Sequence, residues 1–189
     1  MPPLMGGERA LWSYPRAVSA IESLGLSELN LRFACYWLSL WQGDEPPTRD
    51  RFAPSDVREL LPGVALVEIR SNLDPICRLS GTAIDVGVGR PITGANLLEF
   101  VSGEDKAIRQ SRLTTIIEGS VSLSRTSYEQ AGVAKVIETV QLPFYGKTED
   151  GSHLYIAHTN WRPSDGFAVP PKPSDPLGFP DSFRLVSFN

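Results

Sequence analysis

The chain has 189 residues, enough for one folded domain with some additional sequence. Its 18 basic and 22 acidic residues give a formal net charge of -4, and the scattered basic residues argue against nucleic acid as the main partner. The two cysteines lie in apolar runs without the spacing of a metal cluster or a disulfide scaffold. No apolar run approaches the roughly 18 residues of a membrane span, and the start lacks the apolar core of a signal peptide. These features predict a soluble, cytoplasmic protein.

The N-terminal part divides into an arm and a helix. Pro15 can begin a short helix that Gly25 ends, but little else fixes the conformation, so residues 1–26 are interpreted as an arm. Ser27 is a suitable N-cap for a helix that ends at Gly43, and its apolar surface is too wide for a lone surface helix. Such a helix either covers a sheet or pairs with a second copy. The predicted homodimer interface consists of Phe33, Trp37, Leu40 and Trp41.

The central part predicts a hairpin, several short helices and one longer helix. Val64 to Arg70 and Ile76 to Ser80 have the composition of two antiparallel strands joined by a turn. Glycines and prolines between residues 81 and 94 permit only short helices. The helical spacing of apolar residues then predicts a longer helix from Glu104 to Ile117.

A three-stranded meander and a tail complete the predicted elements. The strand-like runs are Ser120 to Glu129, Val133 to Phe144 and Leu154 to Trp161. Residues 163–189 contain six prolines, which indicate an extended tail without a core of its own. Apolar residues near its end, among them Phe183 and Leu185, would let that part dock onto another surface.

This order of elements resembles that of a PAS domain. The segment Gly94 to Val101, followed by Gly103-Glu104-Asp105, resembles the PAS segment that leads into the long helix, and Glu149-Asp150-Gly151-Ser152 resembles the turn before the last strand. More narrowly, residues of about 30 to 161 resemble an alphaproteobacterial family of stand-alone PAS-like proteins. The matching residues are Tyr36-Trp37, Pro47-Thr48-Arg49, Ala53-Pro54, Leu61-Pro62, Arg78-Leu79-Ser80-Gly81-Thr82, Gly89-Arg90, Thr93-Gly94 and Leu142-Pro143.

The resemblance implies an α+β fold over residues 27–162. The implied fold has a five-stranded antiparallel sheet with short helices on one face. Its N-terminal helix either covers the sheet or pairs with a second copy of the chain. The resemblance also implies a sensory or interaction module, but it names no ligand.

More specific chemistries find little support in the residues. Gly87-Val88-Gly89 lacks the third glycine of a dinucleotide fingerprint, and the loop from Gly89 to Gly94 lacks the lysine of a phosphate loop. Neither histidine lies on the helix Glu104 to Ile117, where a haem ligand is expected, and neither cysteine lies where a flavin photosensor needs one. Ser152-His153 has no nucleophile elbow. The sequence therefore predicts no cofactor, no metal and no enzymatic activity.

Arg78 allows two interpretations. An arginine fork on the second strand binds a ligand carboxylate or phosphate well. It can also pair internally with Asp85, Glu99 or Glu138. The internal pair is favoured, because a buried arginine without a partner costs too much free energy.

The predicted pocket lies between the sheet and the helices of residues 82–100 and 104–117. Along the strand Val133 to Phe144 one face is almost wholly apolar and the other is mixed, and the apolar face is expected to line the interior. The predicted ligand-binding residues are Arg78, Thr82, Ile84, Val88, Phe100, Ile108, Tyr128, Val140, Leu142 and Ile156.

The favoured function is a non-enzymatic sensory module that binds a small organic ligand or a protein partner, forms a homodimer and signals in trans. No kinase, cyclase or DNA-binding region is recognised in these residues, so the output is expected to pass to another protein. The alternative is a protein-interaction adaptor with a fully packed interior. A small-molecule enzyme, which would need a perturbed acid or base in the cavity, has less support.

Overall fold

The computed structural model of the protein describes residues 12–101, 104–130, 133–163 and 182–186. The α-helices are α1 (Tyr14–Ser23), α2 (Glu28–Ser39), α3 (Thr82–Val88) and α4 (Glu104–Ile117). Short 3₁₀ helices span Arg49–Arg51, Pro54–Val57, Leu61–Gly63 and Leu97–Phe100. Within the described ranges, every helix is too short or too polar to span a membrane.

Six strands form one antiparallel sheet. They are β1 (Val64–Ile69), β2 (Pro75–Ser80), β3 (Val121–Gln130), β4 (Val133–Pro143), β5 (His153–Pro163) and β6 (Ser182–Val186). The order across the sheet is β2-β1-β5-β4-β3-β6. The first five strands confirm the predicted α+β fold with a five-stranded antiparallel sheet, and α4 has the predicted bounds.

The sixth strand comes from the proline-rich tail. β6 pairs antiparallel with the outer edge of β3, from Val121 opposite Val186 to Arg125 opposite Ser182. An uncovered edge strand presents a row of backbone N–H and C=O groups, and this ladder pairs part of that row. The last part of the tail therefore docks by strand addition, whereas residues 164–181 lie outside the described residues.

Helices α1 and α2 cover one face of the sheet. Ala17, Ala20 and Ile21 of α1 are buried in the same apolar cluster as the inner residues of α2. The interpretation of residues 1–26 as an arm is therefore wrong from Trp12 onward, because one side of α1 is apolar and packs into the core.

Three of the four side chains assigned to a homodimer interface are buried within the chain. Phe33, Trp37 and Trp41 are 0%, 1% and 8% exposed. The Trp37 indole N–H donates to the Pro143 carbonyl oxygen at 3.0 Å. Assigning these three rings to contact between copies is therefore wrong, because α1 and the sheet together enclose the wide apolar surface of α2. Leu40 is half-buried, and homodimerisation itself stays a prediction.

A buried carboxylate fixes α2 to the sheet. Glu138 of β4 is 0% exposed, and its Oε2 accepts from Arg125 Nε at 2.8 Å. Its Oε1 accepts from the backbone N–H of Ser27 at 2.7 Å and from Asn30 Nδ2 at 2.9 Å. Burial alone would raise the pKa of Glu138, but the hydrogen bonds outweigh it and lower that pKa. An ionised carboxylate thus joins β3 and β4 to the start of α2.

His158 of β5 extends this network. Because Asn30 Nδ2 donates to Glu138, Asn30 Oδ1 is left to accept from His158 Nδ1–H, at 2.6 Å. The imidazole stacks on the Phe33 ring, with the two centroids 5.2 Å apart. Burial lowers the pKa of His158 from 6.5 to about 4. The ring is therefore neutral near pH 7.

We predict that the free energy of unfolding falls as the pH is lowered from 7 to 5. In this range His158 takes up a proton in the unfolded chain, while the folded ring stays neutral until about pH 4. Its contribution to stability is present above the unfolded pKa of 6.5 and is lost on acidification. The loss by pH 5 is about 2 kcal/mol, measurable by urea unfolding at a series of pH values.

The matched variants are His158→Gln and His153→Gln. The first cannot take up a proton and should flatten the dependence on pH, and the second should retain it. A slope that survives in His158→Gln would assign the effect to other groups.

Candidate ligand-binding site

A cavity of about 160 Å³ lies on the sheet face opposite α1 and α2. The sheet forms its floor, and α3, α4 and the 3₁₀ helix Leu97–Phe100 form its cover. Glycines set the bounds of the cover, since α3 ends at Gly89, which has a φ of 82°, and Gly94 turns the chain back with a φ of 88°.

The floor consists of alternate residues on neighbouring strands. Because successive side chains of a strand point to opposite faces, every second residue reaches the cavity. From β4 these are Ile137, Thr139 and Gln141, and from β5 they are Tyr155, Ala157, Thr159 and Trp161. β1 adds Ala65 and Val67, and β3 adds Ser124 and Thr126. The floor is thus mixed, with small and hydroxyl side chains beside aromatic ones.

The cover combines apolar side chains with two arginines. α3 contributes Ile84 and Val88, and α4 contributes Arg109, Arg112, Leu113 and Ile116. Residues at these intervals on α4 share one face of a helix. Among the described residues of the cover that line the cavity, the charged side chains are these two arginines.

Ser122, Gln141 and Tyr155 lie on this face of the sheet. The Ser122 hydroxyl donates to Gln141 Oε1, and the Gln141 side chain slightly opposes the effect of burial on the pKa of Tyr155 on the neighbouring strand. Tyr155 is 2% exposed, and burial raises the pKa of its hydroxyl. The phenol is therefore protonated at neutral pH. Beside this group the Thr139 and Thr159 hydroxyls are 3.0 Å apart and bond to each other.

Trp161 closes one end of the cavity against α3. A Cβ atom added to Gly87 would lie 2.4 Å from Cζ2 and 2.9 Å from Nε1 of the Trp161 indole, so a residue with a side chain does not fit there. The indole nitrogen is buried and has no hydrogen-bond partner among the described residues. A buried donor of this kind is a natural contact for a bound molecule.

Comparison with known proteins identifies the family. A model of the PAS domain matches residues 27–155, more than half of the chain. The chain belongs to the PAS domain family. The narrower alphaproteobacterial family stays a prediction, and among curated proteins no sequence matches significantly.

Two solved structures with similarity to the chain have LOV or Light-Oxygen-Voltage in their names. A variant of RsLOV has 14% sequence identity and a TM-score of 0.39, with 59% of this chain and 69% of that chain covered. An RNA-binding Light-Oxygen-Voltage receptor also has 14% identity, with a TM-score of 0.37. In that case 77% of this chain aligns with 48%, about half, of the receptor chain.

Only part of the predicted site of this PAS domain lies at the cavity. Ile84 and Val88 line it, as the sequence predicted. Val140, Leu142 and Ile156 lie on the opposite face, in the apolar cluster with α1 and α2. The prediction that they line the pocket is wrong, because the more apolar face of β4 packs against the helices and the mixed face is left for the cavity.

Arg78 has an internal partner that the sequence did not suggest. Its Nε and Nη2 groups donate to the two carboxylate oxygens of Glu68, at 2.7 and 2.9 Å. The Arg78 hydrogen bond is the main cause of the lowered pKa of Glu68, which is 6% exposed. Arg78 is the extra residue of a bulge, since Leu66 and Val67 pair with Leu79 and Cys77. The favoured interpretation of Arg78 as part of an internal ion pair is confirmed and the ligand-anchor interpretation is wrong, but the partner is Glu68 and not Asp85, Glu99 or Glu138.

Three other predicted residues lie away from the cavity lining. Thr82 is exposed at the start of α3, and Ile108 is 41% exposed on the outside of α4. Phe100 is half-buried beneath the Arg90 guanidinium, 4.6 Å from the ring centroid. Assigning Thr82 and Ile108 to the pocket is therefore wrong, whereas Phe100 packs beside the cavity-lining cluster and its contact with a ligand stays a prediction. The Tyr128 side chain lies outside the described residues, and its place in the site stays a prediction.

The cysteines and histidines do not meet in a cluster. Cys35 is exposed on α2, and Cys77 is buried on β2, where burial raises the pKa of its thiol to about 11. His158 lies on the sheet face that contacts α2. Within the described ranges, His, Cys, Asp and Glu side chains form no group of three that could hold a metal ion.

Sequence reasoning missed the polar part of the site. Arg109 and Arg112 share a face of α4 with Leu113 and Ile116, and this spacing is readable from the sequence. The prediction took Ile108 as the centre of the buried face of α4, about one residue away from the face that the structure buries. The Gln141–Tyr155 contact joins β4 to β5 and has no local signal.

We predict that Gly87→Ala lowers the free energy of unfolding by about 1–3 kcal/mol, because the new methyl group overlaps the Trp161 indole. Thermal unfolding monitored by circular dichroism measures the change. Val86→Ala is the control, since Val86 lies on the same helix and is 81% exposed. Equal stability of the two variants would mean that the indole moves aside freely, and would contradict the close fit at Gly87.

Proposed function

We propose that this PAS domain binds a small organic ligand in the cavity and passes the change to a separate protein. Membership of the PAS family makes the chain a sensory or regulatory module in general terms. The observation that carries the finer proposal is the cavity itself, partly covered by three helical segments and lined by hydrogen-bonding groups on an otherwise apolar wall. Sites for small molecules usually have this composition.

β4 connects the cavity on one face of the sheet with the helices on the other face. Thr139 and Gln141 face the cavity, whereas Glu138 and Val140, which alternate with them, contact the helices on the other side. A ligand that shifts the cavity side of β4 therefore also acts on the hydrogen bonds that hold α2. A ligand can drive such a change only if it binds one conformation of the domain more tightly than another.

The rival function is an adaptor whose interior is fully packed. The cavity weighs against it, because packed interiors contain few voids larger than a water molecule. Catalysis has less support still. Ser152 is buried, its N–H donates to Thr148 Oγ1 at 3.0 Å, and it belongs to a tight turn outside the cavity lining.

The assembly and the setting belong to the same proposal. The domain acts in the cytoplasm as a homodimer whose contact does not use the buried rings of α2, and its output passes to a protein partner. Native mass spectrometry of freshly purified protein tests both the ligand and the dimer in one measurement.

Two alanine substitutions separate the sensor from the adaptor. Ala157→Leu adds volume at the cavity floor, and Ala34→Leu adds the same volume to the packed cluster beneath α2. We predict that Ala157→Leu changes the melting temperature little and removes any copurified ligand. Ala34→Leu should destabilise the fold by about 1–3 kcal/mol through overpacking.

Differential scanning fluorimetry and native mass spectrometry provide the two readouts. If Ala157→Leu destabilises the protein as much as Ala34→Leu, the interior is already full. The adaptor would then be the better function.

A further inference from the structure

We infer that the cavity binds an uncharged molecule of about one ring, with a carbonyl or ether oxygen that accepts a hydrogen bond from the Trp161 indole. This inference rests on the proposed function, since it names the class of ligand and a contact residue for the same site. Trp161 lies beyond residues 27–155, which match the model of the PAS domain, so membership of the family does not imply this contact.

The indole N–H of Trp161 is a donor without a partner in the described part of the chain. Trp161 lines the cavity, and its Nε1 atom is buried with no hydrogen bond to another described residue. A buried donor in this state has lost its hydration and gained nothing in return, which costs free energy. An acceptor on a bound molecule removes that cost. The site therefore favours a ligand that brings an acceptor to the indole.

Helix α3 fixes the direction of this donor. A Cβ atom added to Gly87 would lie 2.4, 2.6 and 2.9 Å from Cζ2, Cε2 and Nε1 of the indole. With the rigid geometry of an indole, these three distances place that point above the ring and not in its plane. The N–H bond lies in the ring plane, so Gly87 packs on the face of the ring and is not in the path of the bond. A donor held in this way needs little ordering when a ligand binds.

Other polar groups of the floor already bond one another. The Thr139 and Thr159 hydroxyls are 3.0 Å apart, and the Ser122 hydroxyl donates to Gln141. The two arginines that line the cavity from α4 each have an interaction within the protein as well. Among the described lining residues, the buried side-chain donor that lacks a partner is thus an uncharged indole. An uncharged acceptor is sufficient for it, whereas burying a charged group would cost more free energy.

The size of the cavity limits the rest of the ligand. Apolar side chains form most of the remaining wall, among them Val67, Ile84, Val88, Ile92 and Leu113. An engineered cavity of about 150 Å³ in another protein holds one benzene molecule. The volume here, about 160 Å³, therefore suits a body of one ring or a short branched chain. A nucleotide or a three-ring cofactor is too large for it.

Acetophenone and α-methylstyrene form the decisive pair of probes, because they have nearly the same shape and differ by a carbonyl oxygen in place of a CH₂ group. The hydrocarbon enters any apolar cavity more readily, so the ratio of the two dissociation constants has to be compared between variants. Isothermal titration of the full chain should show that Trp161→Phe weakens acetophenone binding more than α-methylstyrene binding. The expected difference is about five- to tenfold, the effect of one neutral hydrogen bond.

Trp41→Phe is the matched control. Trp41 also has a buried Nε1 atom without a partner among the described residues, but it lies in the apolar cluster with α1 and α2, on the other face of the sheet. Trp41→Phe should leave the ratio of the two dissociation constants unchanged. A change of the same size in both variants would assign the effect to a general loosening of the fold, and would overturn the contact with Trp161.

Nuclear magnetic resonance of the wild-type chain gives a second readout, which decides the question even if Trp161→Phe does not fold. Acetophenone should move the proton resonance of the Trp161 indole N–H downfield, because the N–H gains an acceptor, and α-methylstyrene should not. An equal response to both probes, or no response while both bind, would contradict the hydrogen bond.

The outcomes distinguish this inference from the proposed function. Benzoate is the third probe and should bind more weakly than acetophenone. Tighter binding of benzoate overturns the uncharged class of ligand but keeps a ligand-binding cavity. Failure of all three probes also overturns the inference, and the proposed function then stands or falls separately on native mass spectrometry and on the comparison of Ala157→Leu with Ala34→Leu.

Discussion

The buried carboxylate of Glu138 determines which helices pack on each face of the sheet. Removing a carboxylate from water costs several kcal/mol unless charge-assisted hydrogen bonds replace its hydration. Glu138 receives such bonds from Arg125, Ser27 and Asn30, and the last two require α2 to lie across this face. The apolar side chains of α2 then fill that side of the sheet. The other side is left to α3 and α4, which leave a cavity between them and the floor.

The lining of the cavity is more polar than a hydrophobic core and has the mixed composition of a ligand-binding site. A floor with threonines, a glutamine and a tyrosine is unfavourable against a tightly packed cover unless its polar groups are bonded. The structure bonds them in two pairs, Thr139 with Thr159 and Ser122 with Gln141. These pairs fix the direction of the donors before any ligand enters, which lowers the entropy cost of binding.

The elements could be predicted from the sequence because their signals are local. Glycine and proline positions and apolar spacing gave β1, β2, α4 and the meander within a few residues. The site could be predicted only in part. The alternation of apolar residues shows which face of β4 is more apolar. It does not show that α1 and α2 pack against that face. The bond from Ser27 to Glu138 spans 111 residues, and the bulge at Arg78 changes the direction of a side chain. No local pattern encodes either feature.

The position of β6 has a consequence for the order in which the chain is synthesised. The strands β1 to β5 are complete once Pro163 has been made, but the edge of β3 is paired by β6 only after Val186, 23 residues later. At about 5–20 residues per second, translation takes roughly 1–5 s to add them. Until β6 pairs, the edge of β3 is open, and an open edge is the part of a sheet most prone to pair with another chain. Alternate serines at positions 122 and 124 make this edge strand less apolar, which lowers its tendency to aggregate before β6 pairs with it.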